Sequence, residues 1–336
     1  MCRTEWLGKI LYIVRINQVP DFIRNFLEIH RMKNILLLFF LLVFRISSLL
    51  SQRIIDVSYA LDAKGNYQFS CTNNAFCTYI LQVSFTKFDN AKTDQQLPYV
   101  EPVNPGFNKL FSISRENPNN PIEFKYSVGY LKGCPHANVK ADFVYLLPIA
   151  PGKEAQAYVL DNSKNGPGND PEARNWYVIR LRMKPGDTIY AARRGVVNEV
   201  LVTDSLNDLG SRTVVTENYI EIVHADCSFG RYGIVRRNGA LVKRGQTVEA
   251  GQPIGLIGGD KYGRGSDAKF SVYYYINDAP KPYRQYLDSL IFWTKNNGKG
   301  KLKHGANYIS EFPSQILKQE IPIPAAKPKK PKPKTK

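Results

Sequence analysis

An all-β chain of two successive domains is the architecture this sequence predicts, and three observations carry it. From about Gln68 to Pro148 apolar residues alternate with period two, as in Tyr79, Leu81, Val83 and Phe85 and in Phe124, Tyr126, Val128 and Tyr130. Turn-rich stretches such as Asn117-Pro118-Asn119-Asn120-Pro121 separate those runs, and no helix-period segment of useful length interrupts them. A second β-rich region runs from Trp176 to about Trp293, punctuated by glycines at 186, 195, 245, 251, 255, 258 and 259. Alternating short strands with Pro, Asn and Gly between them read as an antiparallel β-sandwich. The length of 336 residues leaves room for two domains, and 43% hydrophobic with 22% charged residues excludes wholesale disorder.

In chain order, residues 1–31 read as a mis-annotated leader, because an export signal begins only at Met32-Lys33-Asn34. An apolar run from Ile35 to Phe44 follows, then Ser47, Ser48 and Ser51-Gln52. A short positive segment, about ten apolar residues and a small-residue exit make a secretory signal peptide over 32–52. The run is shorter than the roughly 20 residues that span a bilayer, so no transmembrane segment is expected in the mature chain. A membrane anchor over residues 7–50 is the alternative; Arg15, Arg24, Arg31 and Lys33 interrupt it. The sandwich is expected over 53–150, a connector over 151–175 with Gly166-Pro167-Gly168-Asn169-Asp170-Pro171, and the second domain over 176–295. Its strands are clearest at 188–192, 196–200, 219–223 and 270–273. A C-terminal extension covers 296–323. The Pro/Lys-rich residues 324–336 form an extended, solvated tail, since repeated Pro forbids regular structure and like charges resist collapse.

The formal charge of +17 is concentrated at the two ends, which leave the body between them at about +7. Export and this distribution argue against a nucleic-acid partner. After export four cysteines remain: Cys71, Cys77, Cys134 and Cys227. An even count in an oxidising compartment suggests two disulfides. The five-residue spacing favours Cys71–Cys77, leaving Cys134–Cys227 to tie the domains; separate buried thiols are the alternative.

Residues 186–200, Gly-Asp-Thr-Ile-Tyr-Ala-Ala-Arg-Arg-Gly-Val-Val-Asn-Glu-Val, and 242–255, Val-Lys-Arg-Gly-Gln-Thr-Val-Glu-Ala-Gly-Gln-Pro-Ile-Gly, closely resemble the lysostaphin/LytM-type zinc endopeptidases. The resemblance covers roughly residues 176–276 and implies a duplicated hybrid motif-like β-sheet domain that cleaves peptide cross-links of bacterial peptidoglycan. The second segment alone is also similar to lipoyl and biotinyl carrier domains, but no lysine sits in the hairpin those require.

The family's zinc has three protein ligands and a water, and here the pattern departs at each of those positions. The ligand Asp aligns with Arg180, the His-x-His reads Asp267-Ala268-Lys269, and the histidine after Tyr232-Gly233 is Ile234. A guanidinium cannot be deprotonated to bind a metal, and Ile has no donor atom. The resemblance thus implies an inactive homologue with no catalytic residues, no metal and no cofactor. Arg180 and Lys269 are expected to flank Asp267 as an ion-paired remnant of the site. The stretch His224-Ala225-Asp226-Cys227 reads as structural, at a strand end. The former substrate groove would be lined by Tyr190, Arg193, Tyr232, Arg264, Lys269 and Tyr273, whose aromatic faces and cations suit sugars and stem-peptide carboxylates. The function expected is that of an exported protein, periplasmic, cell-surface or secreted, that binds peptidoglycan or regulates a cell-wall hydrolase. An active zinc metalloendopeptidase with an atypical ligand set, and a structural or adhesive envelope protein, are the alternatives.

Overall fold

The computed structural model describes residues 53–161, 173–202, 217–259, 266–277 and 282–320. The segments expected to be a leader (1–31) and a signal peptide (32–52), Gly166 to Pro171 and the Pro/Lys-rich residues 324–336 lie outside these. Seven strands come first: β1 (Ile55–Leu61), β2 (Tyr67–Asn73), β3 (Tyr79–Asp89), β4 (Ala91–Lys92), β5 (Tyr99–Val103), β6 (Gly106–Arg115) and β7 (Glu123–Lys132). They make two antiparallel sheets, β1-β2-β6-β4 and β5-β3-β7. Alternation decides which side chains meet between them: Phe69, Leu81, Val83, Phe111 and Ile113 are buried together, with Phe69 stacked on Phe111 at 4.8 Å. This is the expected sandwich. Only half of the aromatic run on β7 turns inward, however. Phe124 and Tyr126 pack around Tyr59 and Phe69, while Val128 and Tyr130 stay 38% and 43% exposed, because β7 is an edge strand.

The remaining strands are β8 (Val144–Leu146), β9 (Glu154–Asp161), β10 (Ala173–Arg174), β11 (Tyr177–Met183), β12 (Thr188–Tyr190), β13 (Gly195–Leu201), β14 (Tyr219–Val223), β15 (Phe229–Gly233) and β16 (Val235–Ala240). They continue with β17 (Thr247–Val248), β18 (Pro253–Ile257), β19 (Ser266–Ile276), β20 (Tyr283–Tyr286), β21 (Ile291–Thr294), β22 (Gly298–Lys301) and β23 (Asn307–Ile309), and one short helix α1 (Ser314–Leu317) follows. The main sheet runs β17-β13-β14-β15-β19-β11-β9-β23, and β12-β18-β16 and β22-β21-β8 are smaller sheets.

Two expected boundaries are corrected here. Residues 154–161, read as connector, form β9 and pair with β11 from Tyr177↔Asp161 to Leu181↔Ala157. Their inward residues Ala155 and Ala157 are too small to signal a strand by hydrophobicity. The extension likewise contributes β22 and β23, with Tyr308 buried.

The two faces of the main sheet bury different cores. Ile179, Leu181, Ile220, Ile222, Tyr232, Ala268, Phe270 and Val272 face the main core with Tyr145, Leu147 and Ile149. Trp176, Val178, Phe229, Tyr273 and Tyr286 face the other way and join the apolar cluster of the sandwich. Gly195 opens β13 at a close approach: a Cβ there would lie 2.4 Å from the Val223 carbonyl oxygen and 2.5 Å from Ile222 Cγ2. Gly195→Ala is therefore expected to cost about 1–3 kcal/mol by overpacking. Urea unfolding should show this as a lower midpoint at unchanged slope.

The Cys134–Cys227 disulfide is present and closes a sequence separation of 93. Cys71 and Cys77 are not joined, which corrects the expectation for that pair: both are buried thiols. The turn between them is closed by Asn73 instead, whose Nδ2 donates to the Cys77 carbonyl at 3.0 Å and whose Oδ1 accepts from Ala75 N at 2.9 Å.

Candidate functional site

Strands β11 and β19 run antiparallel with Arg180 opposite Lys269 and Arg182 opposite Asp267. Ile179, Leu181, Ala268 and Phe270 fill the core, so these four polar residues share the opposite face. There Asp267, 2% exposed, is gripped by cations. Arg180 Nε donates to Asp267 Oδ2 at 3.0 Å, Arg180 Nη2 reaches the same oxygen, and Arg182 Nε lies 3.4 Å from Oδ1. From β9, Tyr158 lies beneath both guanidiniums, at 5.9 and 5.3 Å from ring centroid to Cζ. Lys269 does not complete the expected triad. Its ammonium is paired with Glu217, which adjoins β14. Burial and the neighbouring Arg180 charge push the Lys269 amine down to about 8.

Ligand chemistry decides whether a metal belongs here. Zinc needs lone pairs, and this cluster supplies two carboxylates already paired with cations, Asp267 with two guanidiniums and Glu217 with the Lys269 ammonium. Among the described residues no three His, Cys, Asp or Glu side chains are grouped to hold a metal ion. The residues present do not fit a zinc centre.

Ile234, which follows β15, is buried in a left-handed backbone conformation with φ 61°. That geometry is costly for a β-branched residue and markedly easier for His or Asn.

The expected groove lining is largely corrected. Tyr232 is buried in the main core, where its hydroxyl accepts a hydrogen bond from Ala192 N at 2.8 Å. Tyr273 is buried on the opposite face, donating its hydroxyl to Glu221. Arg193 is 1% exposed and satisfied internally: Nη1 bonds Asp226 at 2.8 Å, Nε bonds Glu320 at 2.8 Å, and the guanidinium lies 4.0 Å from the Phe143 ring. Tyr190 packs edge-on against Phe312 at 5.5 Å. Arg264 lies outside the described residues.

The stretch from His224 to Cys227 is held by internal contacts, among them the Cys134–Cys227 disulfide and the Asp226–Arg193 ion pair. His224 is held neutral, its pKa driven down to about 3 by burial and by Arg193, and Nδ1 bonds the Arg194 carbonyl at 2.8 Å.

Sequence reasoning missed a second buried charge pair. Lys132 at the end of β7 reaches across to Glu221 on β14 at 2.5 Å, and Asn198 Nδ2 donates to the same carboxylate at 2.7 Å. The sandwich thus covers the apolar end of this sheet face, while the end bearing Arg180, Arg182 and Lys269 keeps side-chain exposures of 26%, 42% and 23%. A lysine closing an otherwise exposed strand gave no signal for this.

Among the described residues no helix is long and apolar enough to cross a membrane. No curated protein sequence matches this chain. Residues 174–282 match the family described as Peptidase family M23. Among solved structures, the catalytic domain of a prophage-encoded M23 protein from Enterococcus faecalis is similar at 19% identity and TM-score 0.28, over 42% of this chain and 96% of that one. The catalytic domain of the antimicrobial peptidase lysostaphin from Staphylococcus simulans is 21% identical with TM-score 0.25, over 39% and 79%. A zinc-containing peptidase from Vibrio cholerae is 13% identical with TM-score 0.32, over 71% and 86%. The β11–β19 ladder with its charged face thus lies inside residues 174–282, the segment that matches Peptidase family M23.

Proposed function

We propose that this chain is an exported, non-catalytic protein of the M23 fold that binds peptidoglycan through the charged end of the sheet face. The observation that carries the reading is the Arg180–Asp267 ion pair, at two positions where the resemblance places zinc ligands. Fixed guanidiniums there replace a dication with charges that need no metal. Ile234 supports the same reading. The backbone keeps a left-handed turn suited to the histidine that the resemblance places there, and the residue itself has no group that could act on a bound water.

Arg180, Arg182 and Lys269 against Asp267 and Glu217 leave one net positive charge, with Tyr158 alongside. Such a surface suits the carboxylates of stem peptides, which guanidiniums hold through charge-assisted hydrogen bonds. The test uses the chain from Arg53 to Lys336 mixed with purified peptidoglycan sacculi, with and without added zinc. Co-sedimentation without muropeptide release is expected, and Arg182→Ala should weaken binding by about threefold to tenfold, the scale of one exposed charged contact. Zinc-dependent muropeptide release, or about one zinc per chain by elemental analysis, would reinstate the peptidase reading. Failure to sediment would remove peptidoglycan as the ligand.

A further inference from the structure

The disulfide joins two parts of the fold. Cys134 follows β7 of the sandwich, and Cys227 sits in the β14–β15 turn, with their Cα atoms 6.1 Å apart. A third cysteine stands close to this bond. Strands β3 and β7 are antiparallel with Tyr79 opposite Lys132, and the ladder extends one residue further, where Gly133 N donates to the Thr78 carbonyl at 3.0 Å. The next pair in that register is Cys77 and Cys134. Directly opposed residues of an antiparallel pair hold their Cβ atoms about 4.5–5.5 Å apart, a spacing a disulfide bridges with small adjustment. At Gly133 the chain leaves the ladder with φ +104°, which carries Cys134 toward Cys227 instead. Cys77, Thr78, Gly133, Cys134 and Cys227 all line one cavity of about 460 Å³, so the rearrangement has room.

We propose that Cys134 has two disulfide partners and that the Cys77 thiol exchanges with the Cys134–Cys227 bond inside this cavity. The Cys77 sulfur, as thiolate, attacks Cys134 Sγ; the Cys134–Cys227 bond breaks as the Cys77–Cys134 bond forms, and Cys227 leaves as the thiolate and takes up the proton that Cys77 gave away. Electrons and atoms balance with no outside oxidant. The first form ties the sandwich to the β14–β15 turn, and the second confines the bond to the sandwich and frees that turn. Two features set the balance. Cys227 is held in a left-handed conformation with φ 66°, a strain that release would relieve. Burial raises the Cys77 thiol to about 12, which makes the exchange slow and the tethered form persistent.

The test uses the full chain in a Cys2→Ser background. The protein is incubated, quenched in acid, unfolded, labelled with N-ethylmaleimide and mapped by mass spectrometry without reduction. Two species are expected, one with Cys77 labelled and Cys134 joined to Cys227, the other with Cys227 labelled and Cys77 joined to Cys134. Cys77→Ser should abolish Cys227 labelling. In Cys227→Ser, Cys134 should pair with Cys77. Full labelling of both Cys77 and Cys134 in folded Cys227→Ser, or pairing of Cys134 with Cys71, would overturn the proposal.

Discussion

Replacing Lys132 with methionine is expected to destabilise the fold by about 3–5 kcal/mol, because it strands the buried Glu221 carboxylate without its counter-charge. Lys132 does three things at once: it pairs with Glu221, lies 5.0 Å from the centroid of the Phe229 ring, and ends the strand that covers this face. Burial acts to raise the Glu221 carboxyl, but Lys132 and hydrogen bonds from Tyr273 and Asn198 outweigh it and hold it below its ordinary 4.5. A carboxylate depressed in the folded state contributes stability that is present above about 4.5 and lost as the pH falls through the folded value. Without Lys132 burial prevails, the carboxyl rises, and protonation favours the folded form. The deficit of Lys132→Met relative to the parent should therefore be largest near neutral pH and shrink on acidification. Chemical denaturation at pH 7 and pH 4 measures this, and Lys132→Met combined with Glu221→Gln should recover part of the loss. A deficit that stays constant with pH would show that Glu221 does not carry the charge assigned to it.

A loss of similar size, about 3–5 kcal/mol, is expected for Arg193→Met. The guanidinium joins Asp226 in the β14–β15 turn to Glu320 beyond α1, so its removal leaves two carboxylates facing each other in a largely buried space. Arg193→Lys keeps the charge but cannot donate from Nε and Nη2 to Glu320 while reaching Asp226, so it should fall between. Limited proteolysis supplies a second readout. With the anchor gone, the segment around Glu320 should be cut early, whereas Gly195→Ala should lower the unfolding midpoint without that selective cleavage.

The sequence makes the strand content legible wherever a side chain alternates between water and one core. Tyr219 to Val223 is β14 as read, and Leu81 and Val83 are buried as their spacing required. Reading failed where the same alternation served two cores. Tyr232 and Tyr273 looked like a groove lining because both are polar-tipped, yet one faces the main core and the other the sandwich. Arg193 was misplaced for a different reason: its counter-charges come from Asp226 and from Glu320, 127 positions away, and no local pattern announces such a meeting. The Arg180–Asp267 contact was legible because both sit on neighbouring strands of a recognisable motif. Glu217 was not, since it pairs with Lys269 from outside any strand.

The pairing of β11 with β9, and of β9 with β23, bears on where this protein can be cut. A fragment limited to residues 174–282 would expose the backbone edge of Tyr177–Met183, a row of unpaired N–H and C=O groups that recruits other chains. It would also strip Tyr145, Leu147, Ile149, Phe292 and Tyr308 from the core they share with Phe270. The recognisable segment and the unit able to stand alone in water are different lengths of chain, and the shorter one is a recipe for inclusion bodies.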